Sequence, residues 1–431
     1  MQMPLSPPTP LGRENSLTFL RLAFALAVVC GHSWVLGGFG EEPLHRLTGG
    51  ALRGRDFAVQ GFFVLSGFLI AKSLAETPSL WRFACHRAFR IVPAFWACLA
   101  GIVFILAPWL IAARWPERFS YIERLTLGPL PAWNYLLKNW AFQGGEFNIA
   151  PLFAGNPVRF DVNGSLWSVC IEARLYLYAA AAVGARLLPV RAALLGSLLA
   201  ALVAWWLGWI VAGFFAAVCV WRVVMPAGRG VVVLFALVYA FHSVLTFAPD
   251  ALQILPVRLL VWLLPIFDIP FRVSALAFHG GTLCWRYHAL LRWDTRWFLL
   301  AAGALTTGVL CGQWSFVMPL ALPYVVLFLG ARLPFQNVER WGDFSYGIYI
   351  FSFPLQQLLV HWGGARAGLP VYLAASLVLS VAAGVLSWFC VEKPALRLGR
   401  KLGAWRPVFS RRQAAAPKAS PILSSAVPAI R

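Results

Sequence analysis

Long apolar runs, most of them about the length of a membrane-spanning helix, recur along almost the whole chain. Inside lipid, a helix satisfies every backbone polar group within its own segment. The pattern therefore predicts an all-α, polytopic transmembrane helix bundle of about 10–12 spans. The predicted spans are residues 17–36, 57–74, 91–113, 166–186, 192–207, 209–225, 230–248, 257–284, 297–312, 314–331, 345–362 and 370–391.

The stretch from residue 192 to residue 225 can be divided in two ways. As a single helix it would be about 50 Å long, whereas the hydrocarbon core is only about 30 Å thick. A hairpin near Gly208 is therefore preferred. With the N-terminus inside, this choice places the following arginines in the cytoplasm, as the positive-inside rule expects: Arg82, Arg87, Arg90, Arg186, Arg191, Arg229, Arg286, Arg292, Arg296, Arg332 and Arg340.

The composition is typical of a membrane protein and argues against a nucleic-acid-binding or metal-binding protein. The chain is 60% hydrophobic and 12% charged, with a net charge of +20. No basic domain stands outside the spans, so the charge fits anionic lipid headgroups and no nucleic-acid partner is expected. The eight cysteines form no CxxC pair, and no metal site is expected.

The chain is predicted to contain one membrane domain followed by a tail. Residues 1–400 are expected to form the membrane domain, and residues 401–431 a basic, disordered cytoplasmic tail rich in Ala, Pro, Ser and Arg. The non-cytoplasmic loop 114–165 is unusually long. Loops of that length are functional or mobile, and this one is placed to cover an outward-facing site.

Two ionisable residues share the first predicted span. Arg21 and His32 are 11 residues apart, which returns to nearly the same helix face roughly 16 Å further along. Ionisable groups within a membrane usually mark function, and histidine is suited to proton transfer near neutral pH.

The basic segment before the third span contains Arg87 and Arg90, which share a helix face. Paired guanidinium groups can bind phosphates, but they are also ordinary positive-inside anchors. Charge alone favours the second interpretation. Ser66, within an aromatic span, is either a packing residue or a substrate contact.

Glu172 lies within an apolar span, and Tyr176 is on its face. An unpaired carboxylate at that depth would be costly, so a partner from another helix is expected. A structural ion pair is the alternative to a catalytic role. Tyr346 and Tyr349 share a face of a later span.

Six short motifs occur in order along residues 15–400: Arg21 to His32, GFFVLSGFLI, RxxRIxP, SLWSVCIE, SYGIYI and the terminal EKP. In this order they resemble the acyltransferase 3 family of integral membrane acyltransferases, which modify bacterial glycans. The resemblance implies transfer of an acyl group, usually acetyl from acetyl-CoA, to a sugar hydroxyl.

The resemblance also assigns residues. His32 and Glu172 are the expected catalytic pair, with His32 as general base or transient acyl acceptor, and Glu172 orienting the imidazole or balancing an arginine. Arg21, Arg87 and Arg90 are expected to bind the donor. The candidate substrate-binding residues are Ser66, Trp167, Tyr346 and Tyr349.

The resemblance also implies where the protein is located and which partners it has. The chain is expected in the bacterial inner membrane with both termini cytoplasmic, and its partners are the bilayer, a glycan or lipid-linked sugar acceptor, and glycan-assembly proteins. The sequence departs from the family at Ser352, where a histidine is usual, so either that histidine is dispensable or the activity or acceptor differs. A transporter or flippase and a non-catalytic scaffold are the competing classes.

Overall fold

A computed structural model describes residues 15–77, 79–114, 130–187 and 269–404, together with residues 236, 239 and 240. In these ranges the chain is helical and forms no named strand, apart from one isolated bridge between Asn148 and Asp161. The predicted all-α class is confirmed.

The described helices are named in chain order. They are α1 (Leu17–Leu36), α2 (Pro43–Leu47), α3 (Gly54–Glu76), α4 (Leu80–Gly101), α5 (Ala107–Arg114), α6 (Ala132–Asn139), α7 (Leu166–Leu187), α8 (Ile269–Arg286), α9 (Thr295–Leu310), α10 (Trp314–Arg332), α11 (Ser345–His361), α12 (Leu369–Ser387) and α13 (Lys393–Ala404). Two π-helical turns, Ile102–Leu106 and Trp388–Glu392, join α4 to α5 and α12 to α13.

Five of the described helical segments are long and apolar enough to cross a membrane. They are Leu17–Leu36, Gly54–Glu76, Leu80–Ile111, Trp314–Arg332 and Leu369–Ala404. The chain is therefore a multi-pass membrane protein. The predicted spans 192–207, 209–225 and 230–248 lie almost entirely outside the described residues, and the hairpin near Gly208 lies wholly outside them.

The third crossing begins earlier than its predicted start at residue 91. Residues 80–90 lie between two predicted spans, but they form the first three turns of α4. This amphipathic segment packs against α13, where Gly399 lies against Phe89 and the Trp81 indole donates 3.0 Å to the Leu402 carbonyl. Helix α13 also extends into the predicted tail as far as Ala404, and residues 405–431 lie outside the described chain.

One end of the bundle gathers basic residues and is called the basic end below. Helix α1 begins there beside the end of α10, because the Ser16 amide donates 2.8 Å to the Gly330 carbonyl. Helices α4, α9 and α11 also begin at this end, whereas α3, α8 and α12 end there. The arginines gathered there, or in the first turns of these helices, are Arg21, Arg82, Arg87, Arg90, Arg286, Arg292, Arg296, Arg332 and Arg340.

The opposite end is covered by the described part of the long loop. Within residues 130–165, Asn163 Nδ2 donates 2.9 Å to the Ile350 carbonyl and Asn156 Nδ2 donates 2.8 Å to the Gln357 carbonyl. Pro157 packs against Gly38, just beyond the end of α1. The loop therefore forms a packed cover over the end of α1 that carries His32.

Helices α3 and α8 run parallel and meet at glycines. A Cβ atom on Gly67 would overlap the Phe278 carbonyl oxygen, and one on Gly281 would overlap the Val64 carbonyl oxygen. The Thr282 hydroxyl donates 3.2 Å to the Gly67 carbonyl across the same contact. Small residues let helix backbones approach this closely, and the approach fixes α3 beside the cavity described below.

We expect Gly67→Ala to destabilise the protein, because the added methyl group must push two backbones apart. Overpacking of this kind costs about 1–3 kcal/mol. Thermal unfolding of the detergent-solubilised protein should show a lower melting temperature. Gly101→Ala is the matched control, since a Cβ on Gly101 meets no atom within 4 Å. Equal melting temperatures for the two variants would contradict the close contact.

Candidate active site

A cavity opens among five helices and runs from the basic end into the bundle. On α3 its lining extends from Val59 to Leu69, which corresponds to a depth of about 15 Å along the helix axis. Seven of the predicted site residues line it: Arg21, Ser66, Arg87, Arg90, Glu172, Tyr346 and Tyr349.

The basic end of the cavity is organised by one carboxylate, Asp343. Its Oδ2 atom lies 3.1 Å from Arg21 Nη1 and 2.6 Å from Arg90 Nη2. The other branch of the Arg90 guanidinium lies 3.2 Å from Glu392 Oε2. A chain of two arginines and two carboxylates therefore joins α1, α4, the start of α11 and the π-helical turn after α12.

Local sequence holds both carboxylates in place. The Ser345 amide and hydroxyl donate 3.3 Å and 2.5 Å to Asp343 Oδ1 at the start of α11. The Ser387 hydroxyl donates 2.8 Å to Glu392 Oε1, and the Glu392 side chain is 1% exposed. The positive charges of Arg21 and Arg90 are thus balanced from within the protein.

Arg87 is the exception among the three cavity arginines. Its guanidinium lies over the rings of Phe83 and Tyr176, with its Cζ atom 5.8 Å and 5.9 Å from the ring centres. Within the described chain no carboxylate lies within 4 Å of it, and its buried Nε has no hydrogen-bond partner. Arg87 is therefore the cavity cation that is free to bind an anionic ligand.

The middle of the cavity is a hydroxyl–carboxylate cluster. Glu172 Oε1 accepts hydrogen bonds from the Ser66 hydroxyl and, at 2.5 Å, from the Tyr176 hydroxyl. Ser66 is thus a polar partner of Glu172 and not only a packing residue. In the described structure Glu172 is held by these two hydroxyls and is not joined to His32.

The inner end of the cavity is lined by Val59, Phe62, Ser168 and Tyr349, called the end wall below. Ser168 Oγ and the Tyr349 hydroxyl share a buried hydrogen bond of 2.5 Å. Phe62 packs edge-on against the Tyr349 ring with their centres 5.8 Å apart.

His32 lies just beyond this end wall and outside the cavity lining. Its ring packs edge-on against Phe353 at 5.2 Å between centres, and Phe353 is one helical turn, about 6 Å, beyond Tyr349. The buried Nδ1 atom of His32 has no hydrogen-bond partner among the described residues. Trp167 also lies outside the lining and packs against the core of the bundle.

Two further side chains lie near Phe353, the ring on which His32 packs. Ser352, at the position where the family pattern has histidine, is fully buried, and its hydroxyl donates 3.2 Å to the Tyr349 carbonyl. Asp161, in the covering loop, lies with Phe353 against Gly164. Burial raises the pKa of Asp161 to about 7.

Sequence reasoning did not identify the residues that balance or enclose the site: Asp343, Glu392, Phe62 and Ser168. A usable signal was present for the acids, because Asp343 and Glu392 border the ends of apolar spans in a chain with only 16 acidic residues. An acid at such a position needs a cation. Phe62 and Ser168 stand inside the GFFVLSGFLI and SLWSVCIE motifs, but nothing in the local pattern separates them from their neighbours as lining residues.

Comparison with known proteins shows the family. Residues 14–389 match a family described as "Acyltransferase domain". The chain belongs to this family, acyltransferase 3. The predicted resemblance is confirmed, and the chain is a membrane-embedded acyltransferase that transfers groups other than aminoacyl groups.

Two known proteins are similar to the chain along most of their length, at low identity. The chain is 22% identical over 385 residues to an O-acetyl transferase of Shigella phage Sf6, covering 88% of this chain and 96% of the phage protein. It is 24% identical over 416 residues to nodulation protein 10 of Rhizobium leguminosarum bv. viciae, covering 92% and 96%. No solved structure matches the chain.

We expect Asp343→Asn to destabilise the folded protein, because it leaves Arg21 and Arg90 without the charge that they share. Removing one partner of a buried ion pair costs about 3 kcal/mol. Glu41→Gln is the control, since Glu41 is 64% exposed and its ion pair in the described residues is with His45. Melting temperatures in detergent should fall for the first variant and stay constant for the second. An unchanged value for Asp343→Asn would refute the structural role of this carboxylate.

Proposed function

We propose that the chain transfers an acetyl group from acetyl-CoA to a hydroxyl of a cell-surface polysaccharide or glycolipid. The observation that supports this most directly is the cavity itself. Arg87, which has no carboxylate within 4 Å in the described chain, lines it beside Tyr176, and its lining ends at Tyr349, one helical turn before the Phe353 ring on which His32 packs. The name of the phage relative, O-acetyl transferase, agrees with this proposal.

The donor fits the basic end by charge and by length. Acetyl-CoA carries several phosphates, and a guanidinium binds phosphate oxygens through two parallel hydrogen bonds. Arg87 would supply this contact, while Arg21 and Arg90, both engaged by Asp343, would keep the cavity mouth in shape. A cavity about 15 Å deep is comparable in length to an extended pantetheine arm.

The reaction then needs a base near the acyl carbon, and His32 is the candidate. The acceptor oxygen attacks the thioester carbonyl carbon while its proton passes to the His32 imidazole. The new C–O bond replaces the C–S bond, and the sulfur leaves as the CoA thiol after taking that proton. Glu172 takes no proton in this scheme, because its carboxylate is hydrogen-bonded to the Ser66 and Tyr176 hydroxyls and makes no contact with His32.

The orientation in the membrane follows from the donor. Acetyl-CoA is cytoplasmic, so the basic end faces the cytoplasm, which agrees with the positive-inside rule. Both termini would then be cytoplasmic, and the covering loop would face outward with His32 beneath it. In a bacterium this membrane is the inner one, and the sugar acceptor would approach from the outer side.

The direct test incubates membranes that contain the protein with radiolabelled acetyl-CoA and isolates the glycan fraction. We expect label on glycan only when the protein is present. Mass spectrometry of surface glycan from a deletion strain would identify the acceptor by a missing acetyl group. Unlabelled glycan together with an unchanged glycan mass in the deletion strain would refute the proposed function.

Replacing His32 by Ala should lower kcat by about 100- to 10,000-fold, the usual contribution of a positioned proton acceptor. The initial rate of glycan labelling at saturating donor measures this effect. His361→Ala is the control, because His361 lies two turns beyond Phe353 on α11 and outside the cavity. A normal rate for the His32 variant would exclude it as the base.

Replacing Arg87 by Gln should raise KM for acetyl-CoA by about 10- to 100-fold, which is the loss of a hydrogen bond to a charged group. The KM of Arg87→Lys should lie between those of the natural sequence and Arg87→Gln. An ammonium group keeps the positive charge but lacks the planar pair of donors of a guanidinium. Arg286→Gln, at the same end of the bundle but outside the cavity, should keep the original KM. Equal KM values for Arg87→Gln and Arg286→Gln would remove Arg87 from the donor site.

A further inference from the structure

The covering loop contributes polar atoms on the far side of the end wall. We infer that Asp161 of this loop, together with Ser165 and His32, binds an uncharged sugar ring of the acceptor, with one hydroxyl at His32 and a neighbouring hydroxyl at Asp161. This inference rests on the proposed function, because it concerns the acceptor whose hydroxyl gives its proton to the His32 imidazole.

Three buried polar atoms in this region have no hydrogen-bond partner in the part of the chain that the structure describes. They are Nδ1 of His32, Oδ1 of Asp161 and Oγ of Ser165, and Ser165 is 1% exposed. Buried polar groups in folded proteins are almost always paired, and an unpaired one costs free energy. Three such atoms in one region indicate that a polar ligand completes their hydrogen bonds.

The three groups meet around Phe353. The His32 ring packs edge-on against the Phe353 ring. A Cβ atom on Gly164 would lie 2.9 Å from Asp161 Oδ2 and 3.1 Å from Phe353 Cε2, so the carboxylate and the ring edge border one space. Ser165 follows Gly164 directly in the chain. A pyranose and a phenyl ring are both six-membered, so one sugar beside Phe353 can reach groups at two sides of that ring.

This acceptor site begins one helical turn beyond the cavity. The Ser165 carbonyl accepts 3.3 Å from the Ser168 hydroxyl of the end wall, and Phe353 is one turn beyond Tyr349. His32 is half-buried although it does not line the cavity, so its accessible surface faces a different space. The acceptor and the donor therefore approach the same layer of side chains from its two sides.

The backbone of Asp161 is fixed by the fold, whereas its Oδ1 atom is not used by the described residues. Gln357 Nε2 donates 2.6 Å to the Asp161 carbonyl, and Asp161 pairs with Asn148 in the isolated bridge. Phe160, the preceding residue, has a left-handed φ of 64°, which is unfavourable for a phenylalanine. Strained backbone persists where the surroundings enforce it, and such positions cluster at ligand sites. The loop thus holds this carboxylate in a set position for a partner from outside the chain.

The charge at Asp161 favours an uncharged sugar. No ion pair joins Asp161 to a basic side chain within the described ranges, and burial raises the pKa of its carboxyl to about 7. A phosphate or a uronate beside it would bring a second negative group next to this unpaired acid. A sugar hydroxyl avoids this repulsion, because it donates to a carboxylate and accepts from a protonated carboxyl.

The test uses the purified protein, radiolabelled acetyl-CoA and surface glycan from the deletion strain, which lacks the acetyl group. Initial rates of labelling give KM for the glycan and, separately, KM for acetyl-CoA. Asp161→Ala should raise KM for the glycan by about 10- to 100-fold, the loss of a hydrogen bond to a charged group. Ser165→Ala should raise it by about 2- to 10-fold, the loss of a neutral hydrogen bond. KM for acetyl-CoA should stay constant in both variants.

The matched control is Glu146→Gln, which changes another acid of the covering loop. The Glu146 carboxylate is already engaged, because Oε1 accepts 3.1 Å from the Asn148 amide and Oε2 lies 3.6 Å from Lys138 Nζ. Both KM values of this variant should match those of the natural sequence. Melting temperatures in detergent identify variants that fail to fold. Asp161→Asn, which keeps the size and one acceptor oxygen, serves if Asp161→Ala does not fold, with a smaller rise in KM for the glycan.

The outcomes separate this inference from the function on which it rests. Mass spectrometry of the product should place the acetyl group on an uncharged sugar, and acetylation of a uronic acid or a phosphorylated sugar would overturn the inference. An unchanged KM for the glycan in a folded Asp161 variant, or an equal rise in KM for acetyl-CoA, would also overturn it and leave acetyl transfer intact. Absence of transfer from acetyl-CoA by the natural sequence would remove the proposed function and this inference together.

Discussion

The shared contact of Asp343 with Arg21 and Arg90 is the interaction on which the site depends. Two guanidinium groups from α1 and α4 meet one carboxylate at the start of α11, and Glu392 in the π-helical turn after α12 completes the balance. Isolated charges at this depth would be expelled to the interface or neutralised. Because they neutralise one another, these helix ends can converge and leave a polar cavity between them.

The same balance of charge explains why the two arginines of the RxxRIxP motif have different partners. Arg87 and Arg90 are three residues apart on α4 and share a face, yet Arg90 is held by two carboxylates and Arg87 by two aromatic rings. A ring orients a guanidinium without cancelling its charge. The motif thus combines a structural arginine with one that keeps its positive potential for a ligand.

Sequence patterns predicted the apolar helices well and the packing poorly. Helix α1 begins and ends at the predicted residues 17 and 36, because lipid imposes a length on any apolar span. The start of α4 was missed, since residues 80–90 look polar until α13 covers their apolar side. The grouping of Glu172 with Ser66 joins residues 106 positions apart, and no local periodicity reports such a pairing.

The sequence separation within the ion-pair chain affects how the protein is made. Glu392 is synthesised 302 residues after Arg90. At about 5–20 residues per second, that interval is roughly 15–60 s. During it, the cationic first turns of α4 exist without their carboxylates and stay at the lipid headgroups, where a guanidinium is tolerated. Their burial waits for the crossing segment Leu369–Ala404, so the cavity mouth cannot assemble before Glu392 has been synthesised.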